Sequence, residues 1–361
     1  MKKTVLYPWH VAAGAKIVEF GGWQMPVQYA GVLAEHEAVR QRAGIFDVSH
    51  MGEVFISGPD ARAFVNRLVT NDISLLEHGA VAYSVMCDDE GHTIDDLLVY
   101  CMGPRSFLLI VNASNAEKDF NWISTRIKGE NVQALDRSAD YGLIAVQGPL
   151  AAGIVAKVAP FPADLKYYHF CLAEWRGTQL LVSRTGYTGE DGVEIMVETA
   201  RTAELWDALM EAGKDQGLAP AGLAVRDVLR IESGYSLYGH ELDETADPIS
   251  AGLSWVVKMD GHDFIGKPAL QNLKPSRKKI AFIMEGKNIP RQGFHLKVDG
   301  AECGVVTSGT FSPVLQKPVG IGYISADRGL APGSRLSVDI RGKEAPASVC
   351  KLPFIKPGVL R

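Results

Sequence analysis

Several features that would indicate particular kinds of protein are missing from this sequence of 361 residues. Its five cysteines stand far apart and form no Cys-x-x-Cys pair, so neither a structural zinc site nor a redox dithiol is indicated. We expect all five to be reduced thiols in a protein of the cytoplasm. No apolar run reaches the ~20 residues that span a bilayer, and the N-terminus lacks the apolar segment of a signal peptide.

A strong excess of positive charge is missing as well. The formal net charge is -5, which argues against a dedicated nucleic-acid-binding protein, because contacts with phosphate need a basic surface. No Gly-x-Gly-x-x-Gly fingerprint or Walker lysine is present, so dinucleotide and P-loop sites are not indicated. Hydrophobic residues at 47% and charged residues at 22% are ordinary for a globular protein, and the length suits two or three packed domains.

Helical and extended patterns are present, but they do not alternate regularly as in a doubly wound sheet, so the sequence predicts an α+β fold. Helices are expected after Asp60, after a capping box at Ser114–Glu117, around Leu205–Met210, and from Leu223 to a stop at Gly234.

Strands are predicted in two parts of the chain. A turn signal at residues 103–105 indicates a hairpin between Asp95–Met102 and Ser106–Ala113. After the polar stretch 274–279, short strands alternate with Gly and Pro, which predicts a small antiparallel barrel or sandwich. These strands are Ile280–Met284, Gly304–Ser308, Gly320–Ser325 and Leu336–Ile340.

The predicted strand that begins with two aspartates is the most informative segment. Side chains alternate along a strand, so Asp96 shares a face with Leu98 and Tyr100 while Asp95 points to the opposite face. One aspartate must therefore enter an apolar layer, which is costly unless the carboxylate is paired or functional. A strand-end cap or a salt bridge is the structural alternative to a functional carboxylate.

A metal site is a further alternative for this segment, with Asp88, Asp89 and His92 as additional ligands. It is disfavoured because the spacing matches no EF-hand loop and the side chains diverge on a hairpin. His50 has polar neighbours, but we interpret it as a structural histidine.

Two other segments place charged side chains among apolar ones. In the predicted strand Val193–Val197, Glu194 lies on the face of Met196, where it either faces solvent or reads a donor-rich heterocycle edge. Arg226 and Arg230 share a helical face, where they form ion pairs or hold an anionic tail. Residue patterns alone yield no reaction.

The order of the motifs resembles the aminomethyltransferase (T-protein) family of the glycine cleavage system, over nearly the whole length. The matching segments are Phe20–Pro26, Gly44–Glu53, Thr70–Asp72, Tyr83–Ser84, Ile94–Leu97, Val111–Asp119, Val146–Pro149, Arg184–Glu190, Arg226–Asp227, Leu237–Gly239, Asp243–Glu244 and Thr307–Pro313. The chain departs from the family pattern at Gly91-His92-Thr93, where two glycines are usual, and its tail 353–361 resembles the family only loosely.

The resemblance implies that an aminomethyl group on the lipoyl arm of H-protein gives its carbon to tetrahydrofolate. The products would be 5,10-methylenetetrahydrofolate, ammonia and dihydrolipoyl H-protein. Tetrahydrofolate is then a co-substrate, the partner carries the lipoyl group, and no metal takes part. We expect H-protein to bind transiently, the enzyme to be a monomer, and neither nucleic acid nor a membrane to be a partner.

Site residues follow from the same resemblance. The family's catalytic aspartate matches Asp96, the second aspartate of Ile94–Leu97. Glu194 matches the residue that holds the pterin edge, with Tyr187 nearby, and Arg226 matches a folate-contacting arginine suited to the anionic glutamyl end. The other pocket residues carried over are Asn112, Tyr83, Tyr100, Met51 and Tyr235.

The family fold has three domains around a central folate channel. Residues 1–275 are expected to form the folate-binding catalytic body and residues 276–361 the C-terminal all-β barrel. The body is expected to contain two interleaved α+β subdomains, roughly 1–50 with 137–243, and 51–136 with 244–275.

Two other functions of this scaffold compete with the transferase. One is a tetrahydrofolate-dependent demethylase of a small sulfonium or amine substrate. The shape of the pocket, rather than sequence motifs, would distinguish it from the transferase. The other is a folate-binding accessory protein of iron–sulfur assembly. Such accessory proteins carry a Lys-Gly-Cys-Tyr-x-Gly-Gln signature, whereas the corresponding Ser236–Leu242 has no cysteine.

Overall fold

The computed structural model describes residues 1–359, which contain eight α-helices and three short 3-10 helices. The α-helices are α1 (Tyr7–Ala12), α2 (Val32–Gln41), α3 (Ala61–Leu68), α4 (Ala116–Thr125), α5 (Ala151–Val158), α6 (Thr199–Gly213), α7 (Leu223–Ser233) and α8 (Lys267–Gln271). The 3-10 helices are Lys214–Gln216, Ser254–Val256 and Ala326–Arg328.

The strands of the body, residues 1–275, form three sheets. A small sheet contains β1 (Lys2–Lys3), β2 (Lys16–Phe20) and β3 (Trp23–Gln28). A six-stranded sheet contains β4 (Ala43–Asp47), β10 (Tyr141–Gln147), β11 (Phe170–Trp175), β12 (Thr178–Ser183), β13 (Gly192–Glu198) and β14 (Leu218–Pro220). A five-stranded sheet contains β5 (Gly52–Ser57), β6 (Val81–Cys87), β7 (Thr93–Gly103), β8 (Ser106–Val111) and β9 (Gln133–Asp136).

The remaining strands close into a barrel. In barrel order they are β15 (Arg277–Met284), β18 (Lys317–Ser325), β17 (Ala301–Ser312), β16 (His295–Val298), β19 (Arg335–Ile340) and β20 (Lys343–Cys350). All neighbours in it are antiparallel. The prediction of an antiparallel C-terminal barrel is confirmed. β16 and β20 were not predicted from the sequence.

The two larger sheets of the body are interleaved along the chain. The six-stranded sheet has the order β11-β12-β13-β10-β4-β14, and the five-stranded sheet has the order β6-β7-β8-β5-β9. The chain therefore leaves the six-stranded sheet after β4, completes the five-stranded sheet between residues 52 and 136, and returns as β10. We propose that the body divides into folding units as the sequence predicts, roughly 1–50 with 137–243 and 51–136 with 244–275.

Each of these two sheets has an apolar layer on both faces. Val193 and Ile195 of β13 face a core with α5 and α6, whereas Met196 faces a second core that also contains Tyr100 of β7. Burying one such aliphatic side chain contributes about 1.5–3 kcal/mol. The face of Met196 and the face of Tyr100 therefore meet between the two sheets. Since side chains alternate along a strand, Glu194 lies on the first of these faces and Asp96 on the second.

The predicted helices are present, and two of their ends differ from expectation. Asp60 occupies the position before α3, but its carboxylate accepts a hydrogen bond from the Asn131 backbone instead of capping the helix. The predicted capping box at Ser114 is wrong, because Asn115 occupies the N-cap position of α4. α7 ends as predicted at Gly234, whose left-handed φ of 76° suits a residue without a Cβ.

Candidate functional site

Asp96 lies near the start of β7, on the face that it shares with Tyr100. The Tyr83 hydroxyl, on the neighbouring strand β6, donates a hydrogen bond to Asp96 Oδ2 at 2.9 Å, and Asn112 Nδ2 donates to Oδ1 at 2.9 Å. Burial, reinforced by the charge of Asp95, raises the pKa of Asp96 to about 7, although the bonds from Tyr83 and Asn112 act the other way. A carboxylate of this kind can exchange a proton near neutral pH.

Asp95 points to the opposite face and is fully buried. Its Oδ2 accepts a bond from the Asn112 backbone N–H at 2.9 Å, and its Oδ1 accepts from the Asn112 side chain at 2.9 Å and from Asn115 Nδ2 at 2.6 Å. Asn112 therefore bridges the two aspartates. Within residues 1–359, neither Asp95 nor Asp96 forms a salt bridge, so the ion-pair alternative does not hold for this pair.

Glu194 lies in β13 and is only 9% exposed, so it does not face bulk solvent. The Thr185 hydroxyl donates a hydrogen bond to its Oε2. Burial raises the pKa of Glu194, while the bond from Thr185 and the positive charge of Arg226 act the other way. The site thus holds a buried acceptor with a single side-chain donor, next to a cation.

The two arginines of α7 have different environments. Arg230 is fully buried and forms ion pairs with Asp227 at 2.8 Å and with Glu241 at 2.7 Å. The guanidinium of Arg226 forms no hydrogen bond or ion pair with any of residues 1–359, and it lies over the ring of Tyr187 at 4.6 Å. Ion pairing therefore accounts for Arg230, whereas Arg226 retains its donors for a ligand.

Several tyrosine rings neighbour Asp96 or Glu194. Tyr187 stacks on Tyr235 with ring centroids 5.7 Å apart, and its hydroxyl donates to the Ser236 carbonyl. Tyr187 interacts electrostatically with Asp96 and with Arg226, and Tyr168 interacts with Tyr235 and Glu194. The Tyr100 hydroxyl lies 3.2 Å from Ser183 Oγ and 3.4 Å from Thr185 Oγ1. These rings connect the surroundings of Asp96 with those of Glu194.

His50 and Met51 lie beside this region. His50 is buried, and its pKa is lowered to about 4 because burial disfavours the charged ring. It is therefore neutral at pH 7. Met51 packs, half-buried, against the core between the two sheets.

The acidic segment around Asp88 and His92 does not converge on one point. The His92 ring lies 3.3 Å from the Asp88 carboxylate, whereas Asp89 pairs with Arg126 at 2.8 Å. Over residues 1–359, no three histidine, cysteine or acidic side chains are grouped in a way that could hold a metal ion.

Comparison with known proteins connects this geometry to a family. The GCVT N-terminal domain model matches residues 6–261, and the glycine cleavage T-protein C-terminal barrel domain model matches residues 277–356. This chain belongs to the glycine cleavage T-protein family.

Relatives of this T-protein family member match it from end to end. An aminomethyltransferase of Halothermothrix orenii is 47% identical and covers 98% of this chain and 100% of its own length. One of Chlorobium luteolum is 48% identical and covers 99% of both chains. The crystal structure of glycine cleavage system aminomethyltransferase T from Bartonella henselae aligns with a TM-score of 0.93 at 34% identity, over 100% of this chain and 99% of that one.

The predictions of the family and of the α+β fold are confirmed, whereas the roles of individual site residues stay predictions. The structure brings Asp96, Asn112 and Tyr83 into direct contact. Around Glu194 and the tyrosine rings it groups Arg226, Tyr187, Tyr235 and Tyr100, and Met51 packs against the neighbouring core.

Reasoning from the sequence missed several side chains at the site, and three of them show why. Trp255 stacks on Tyr83 with centroids 5.7 Å apart and is 60% exposed. Lys279 of the barrel donates to Ser236 Oγ at 3.0 Å and interacts electrostatically with Asp96. Thr185 donates to Glu194. The first two come from distant segments that no local pattern connects with the site, whereas Thr185 lies in the matched segment Arg184–Glu190.

Proposed function

We propose that this chain is the aminomethyltransferase of a glycine cleavage system, and that Asp96 is its reactive carboxylate. It takes the one-carbon unit of aminomethyl-dihydrolipoyl H-protein and passes it to tetrahydrofolate. The products are 5,10-methylenetetrahydrofolate, ammonia and dihydrolipoyl H-protein. The observation that carries the proposal is the half-buried Asp96 carboxylate, which accepts hydrogen bonds from Tyr83 and Asn112 beside an aromatic-lined region, where burial raises its pKa to about 7.

The residues present fit a folate. A pterin offers adjacent N–H donors on one edge, which a carboxylate can accept as two parallel bonds, and Glu194 is a buried carboxylate with one side-chain donor. The stacked rings of Tyr187 and Tyr235 offer flat apolar surface. Arg226 offers an unpaired guanidinium for an anionic or acceptor group. Tyr100 and Met51 complete the proposed pocket wall.

Tetrahydrofolate, when bound, supplies two nitrogens that take up the methylene carbon as its bond to the amine breaks and then its bond to sulfur breaks. The protons that these nitrogens lose appear in the released ammonia and thiol. Asp96 orients the attacking nitrogen, accepts its proton and stabilises the positive charge that develops on the carbon. Its raised pKa suits the task, since a weakly basic carboxylate would leave the proton on the nitrogen.

Tyr83 and Asn112 fix the carboxylate from two sides. Burial and the neighbouring Asp96 charge raise the pKa of Tyr83 well above its ordinary value, so its hydroxyl remains a donor throughout the working pH range. Each donor occupies a different oxygen of Asp96, which restricts rotation of the carboxylate. The remaining lone pairs can then point to the reacting nitrogen.

We further propose that the lipoyl arm enters past Trp255, since this exposed ring stacks on the tyrosine that contacts Asp96. H-protein binds transiently in this proposal, and the enzyme is a monomer of the cytoplasm. No metal takes part. In residues 1–359, no helix is long and apolar enough to cross a membrane.

The deciding experiment supplies the purified protein with aminomethylated H-protein and follows ammonia and methylenetetrahydrofolate, with and without tetrahydrofolate. Folate-dependent release of both products in equal amounts supports the proposal. Tight folate binding without turnover contradicts it and directs attention to small sulfonium and amine methyl donors, or to an accessory role.

A further inference from the structure

A second carboxyl group lies behind the Asp95–Asn112 contact. Asp119, in the first turn of α4, is fully buried. Neither of its carboxyl oxygens accepts a hydrogen bond from a donor within residues 1–359. Asn115, one turn earlier on the same face of α4, donates to Asp95 Oδ1 at 2.6 Å, so Asp119 also faces the Asp95 carboxylate, whose charge acts on it. Two carboxyl groups thus lie side by side in the interior, and only one of them is surrounded by N–H donors.

Electrostatics decides where a proton resides in this pair. Two buried carboxylates in contact cannot both be ionised without a large penalty, so together they retain one proton. Asp95 accepts three N–H bonds, from Asn112 N, Asn112 Nδ2 and Asn115 Nδ2, and such bonds favour an ionised acceptor. Burial and the Asp95 charge raise the pKa of Asp119 far above its ordinary value. Asp119 is therefore the group expected to keep the proton, with the Asp95 carboxylate as its neighbouring acceptor.

We propose that Asp95 and Asp119 are positioning residues for the reaction: as a carboxylate and a carboxylic acid sharing one proton, they fix Asn112, and through it the Asp96 carboxylate. This inference rests on the proposed function, because it assigns Asp96 the reactive role. The line of contacts is continuous. Asp119 neighbours Asp95, and Asp95 accepts hydrogen bonds from the backbone N–H and the Nδ2 of Asn112. Asn112 Nδ2 in turn donates to Asp96 Oδ1 at 2.9 Å.

The charge of the Asp95 carboxylate also raises the pKa of Asp96. Other titratable groups that face Asp96 are Tyr83 of β6, Tyr187 of the 184–190 segment, Lys279 of β15 and Asp119 of α4. Lys279 is the cation among them, and Asp119 is neutral when protonated. Asp95 is therefore the negative charge that makes Asp96 a stronger base.

The test measures kcat against pH with aminomethylated H-protein and tetrahydrofolate as substrates. Three variants of the full chain are compared with the wild type: Asp95→Asn, Asp119→Asn and Asp119→Leu. Asp95→Asn should lower kcat on the order of 100-fold, because Asn112 is released. It should also move the acid limb of the profile to lower pH by about one pH unit, because the negative charge is gone. Asp119→Asn retains a neutral N–H donor and should keep the limb in place, whereas Asp119→Leu, without a donor, should lower kcat about tenfold.

Glu53→Gln is the matched control. Glu53 is another fully buried carboxyl group of the five-stranded sheet, and both its oxygens lack a hydrogen-bond partner within residues 1–359. The control should leave the acid limb unchanged. Infrared spectra at neutral pH give an independent readout, since Asp119→Asn should remove one band of a protonated carboxylic acid.

The outcomes separate two failures. The inference is overturned if a folded Asp95→Asn variant keeps the wild-type acid limb, or if Asp119→Asn loses as much turnover as Asp119→Leu. If Asp95→Asn does not fold, the two Asp119 variants and the infrared band decide. The proposed function fails separately if Asp96→Asn turns over at the wild-type rate.

Discussion

The hydroxyl of Tyr83 donates to the carboxylate of Asp96 at 2.9 Å, and the two residues lie on the adjacent antiparallel strands β6 and β7. In the register of these strands, Tyr83 pairs with Leu98, two positions beyond Asp96 and on the same face. The contact is therefore a diagonal cross-strand pair, fixed by the backbone ladder of the sheet. A base held in this way needs little reorganisation before it takes up a proton.

Loss of this hydroxyl should change the pH profile in one direction. The bond from Tyr83 lowers the pKa of Asp96, so Tyr83→Phe should raise that pKa and move the acid limb of kcat to higher pH. We expect kcat at neutral pH to fall about tenfold, the effect of losing one positioning contact. Tyr141→Phe, at a half-buried tyrosine of β10 that stacks on Phe55 and makes no contact with Asp96 among residues 1–359, is the control and should leave the limb in place.

Replacing the reactive carboxylate should separate chemistry from binding. Asp96→Asn keeps the shape of the side chain but cannot accept a proton, so transfer should fall by roughly 100-fold or more. Folate affinity should remain largely intact, because the proposed pterin contact is made by Glu194. Single-turnover release of ammonia and equilibrium folate binding measure the two quantities. Equal losses in both would show that Asp96 holds the folate instead of driving the reaction.

The buried acceptor should be specific for the pterin. Glu194→Gln replaces one of two parallel charge-assisted bonds by an unfavourable N–H contact, so tetrahydrofolate should bind about 10- to 100-fold more weakly. A tetrahydropterin without the aminobenzoylglutamate tail should lose the same factor. Calorimetric titration of both ligands gives the comparison. A loss confined to the complete folate would place Glu194 at the tail.

Arg226 has two possible ligand groups, and the same pair of ligands separates them. Its family counterpart suits the glutamyl end, which predicts that Arg226→Gln weakens binding of tetrahydrofolate alone. Its electrostatic contact with Glu194 and its position over Tyr187 place it near the proposed pterin site instead. We therefore expect Arg226→Gln to weaken binding of both ligands. If Arg226→Gln leaves the affinity for the tail-less pterin unchanged, Arg226 contacts the glutamyl end and not the pterin.

The buried ion pair between Arg230 and Glu241 predicts a stability change. Arg230→Met leaves Glu241 buried without its cation, which should cost about 3–5 kcal/mol of unfolding free energy. In the wild type, Arg230 lowers the pKa of Glu241. The ion pair therefore contributes to the free energy of unfolding at pH values above the ordinary pKa of a glutamate, and this contribution is lost as the pH falls. In the variant, Glu241 lacks its cation and is protonated more readily. The difference in unfolding free energy between the two proteins should therefore become smaller in acid.

Urea unfolding of both proteins at neutral and mildly acidic pH measures this difference. Arg176→Met, which removes an exposed arginine from its pair with Glu204, is the control and should change the unfolding midpoint little. A difference that widens towards acid would contradict the assignment.

Alternation along single strands was enough to predict part of the site. It placed Asp96 with Tyr100 and Glu194 with Met196, and the structure has both pairs facing the core between the sheets. The family motifs added the fold and the reaction. The neighbours of Asp96 were harder to predict. Trp255 lies far along the chain from Asp96, and Lys279 belongs to the barrel.

One of the two helix ends that differ from expectation, the predicted capping box at Ser114, shows why local rules failed there. The Ser114–Glu117 pattern is a good capping box, but Asn115 takes the N-cap position while its side chain binds Asp95. A buried carboxylate gains more from an amide donor than a helix end gains from a serine hydroxyl. The contact between Asn115 and Asp95 joins segments that are distant in sequence, so no local capping pattern contains it.

The interleaved order of the two sheets has a consequence for the nascent chain. When the ribosome has released residues 1–136, the groups around Asp96 that the five-stranded sheet and α4 supply are all available. The six-stranded sheet then has only β4, because β10 to β14 have not been made. Glu194 and Arg226 follow later, and Lys279 arrives only with the first barrel strand. No N-terminal fragment shorter than the whole body therefore contains the complete site, and a partly synthesised chain can display Asp96 before anything can hold a folate beside it.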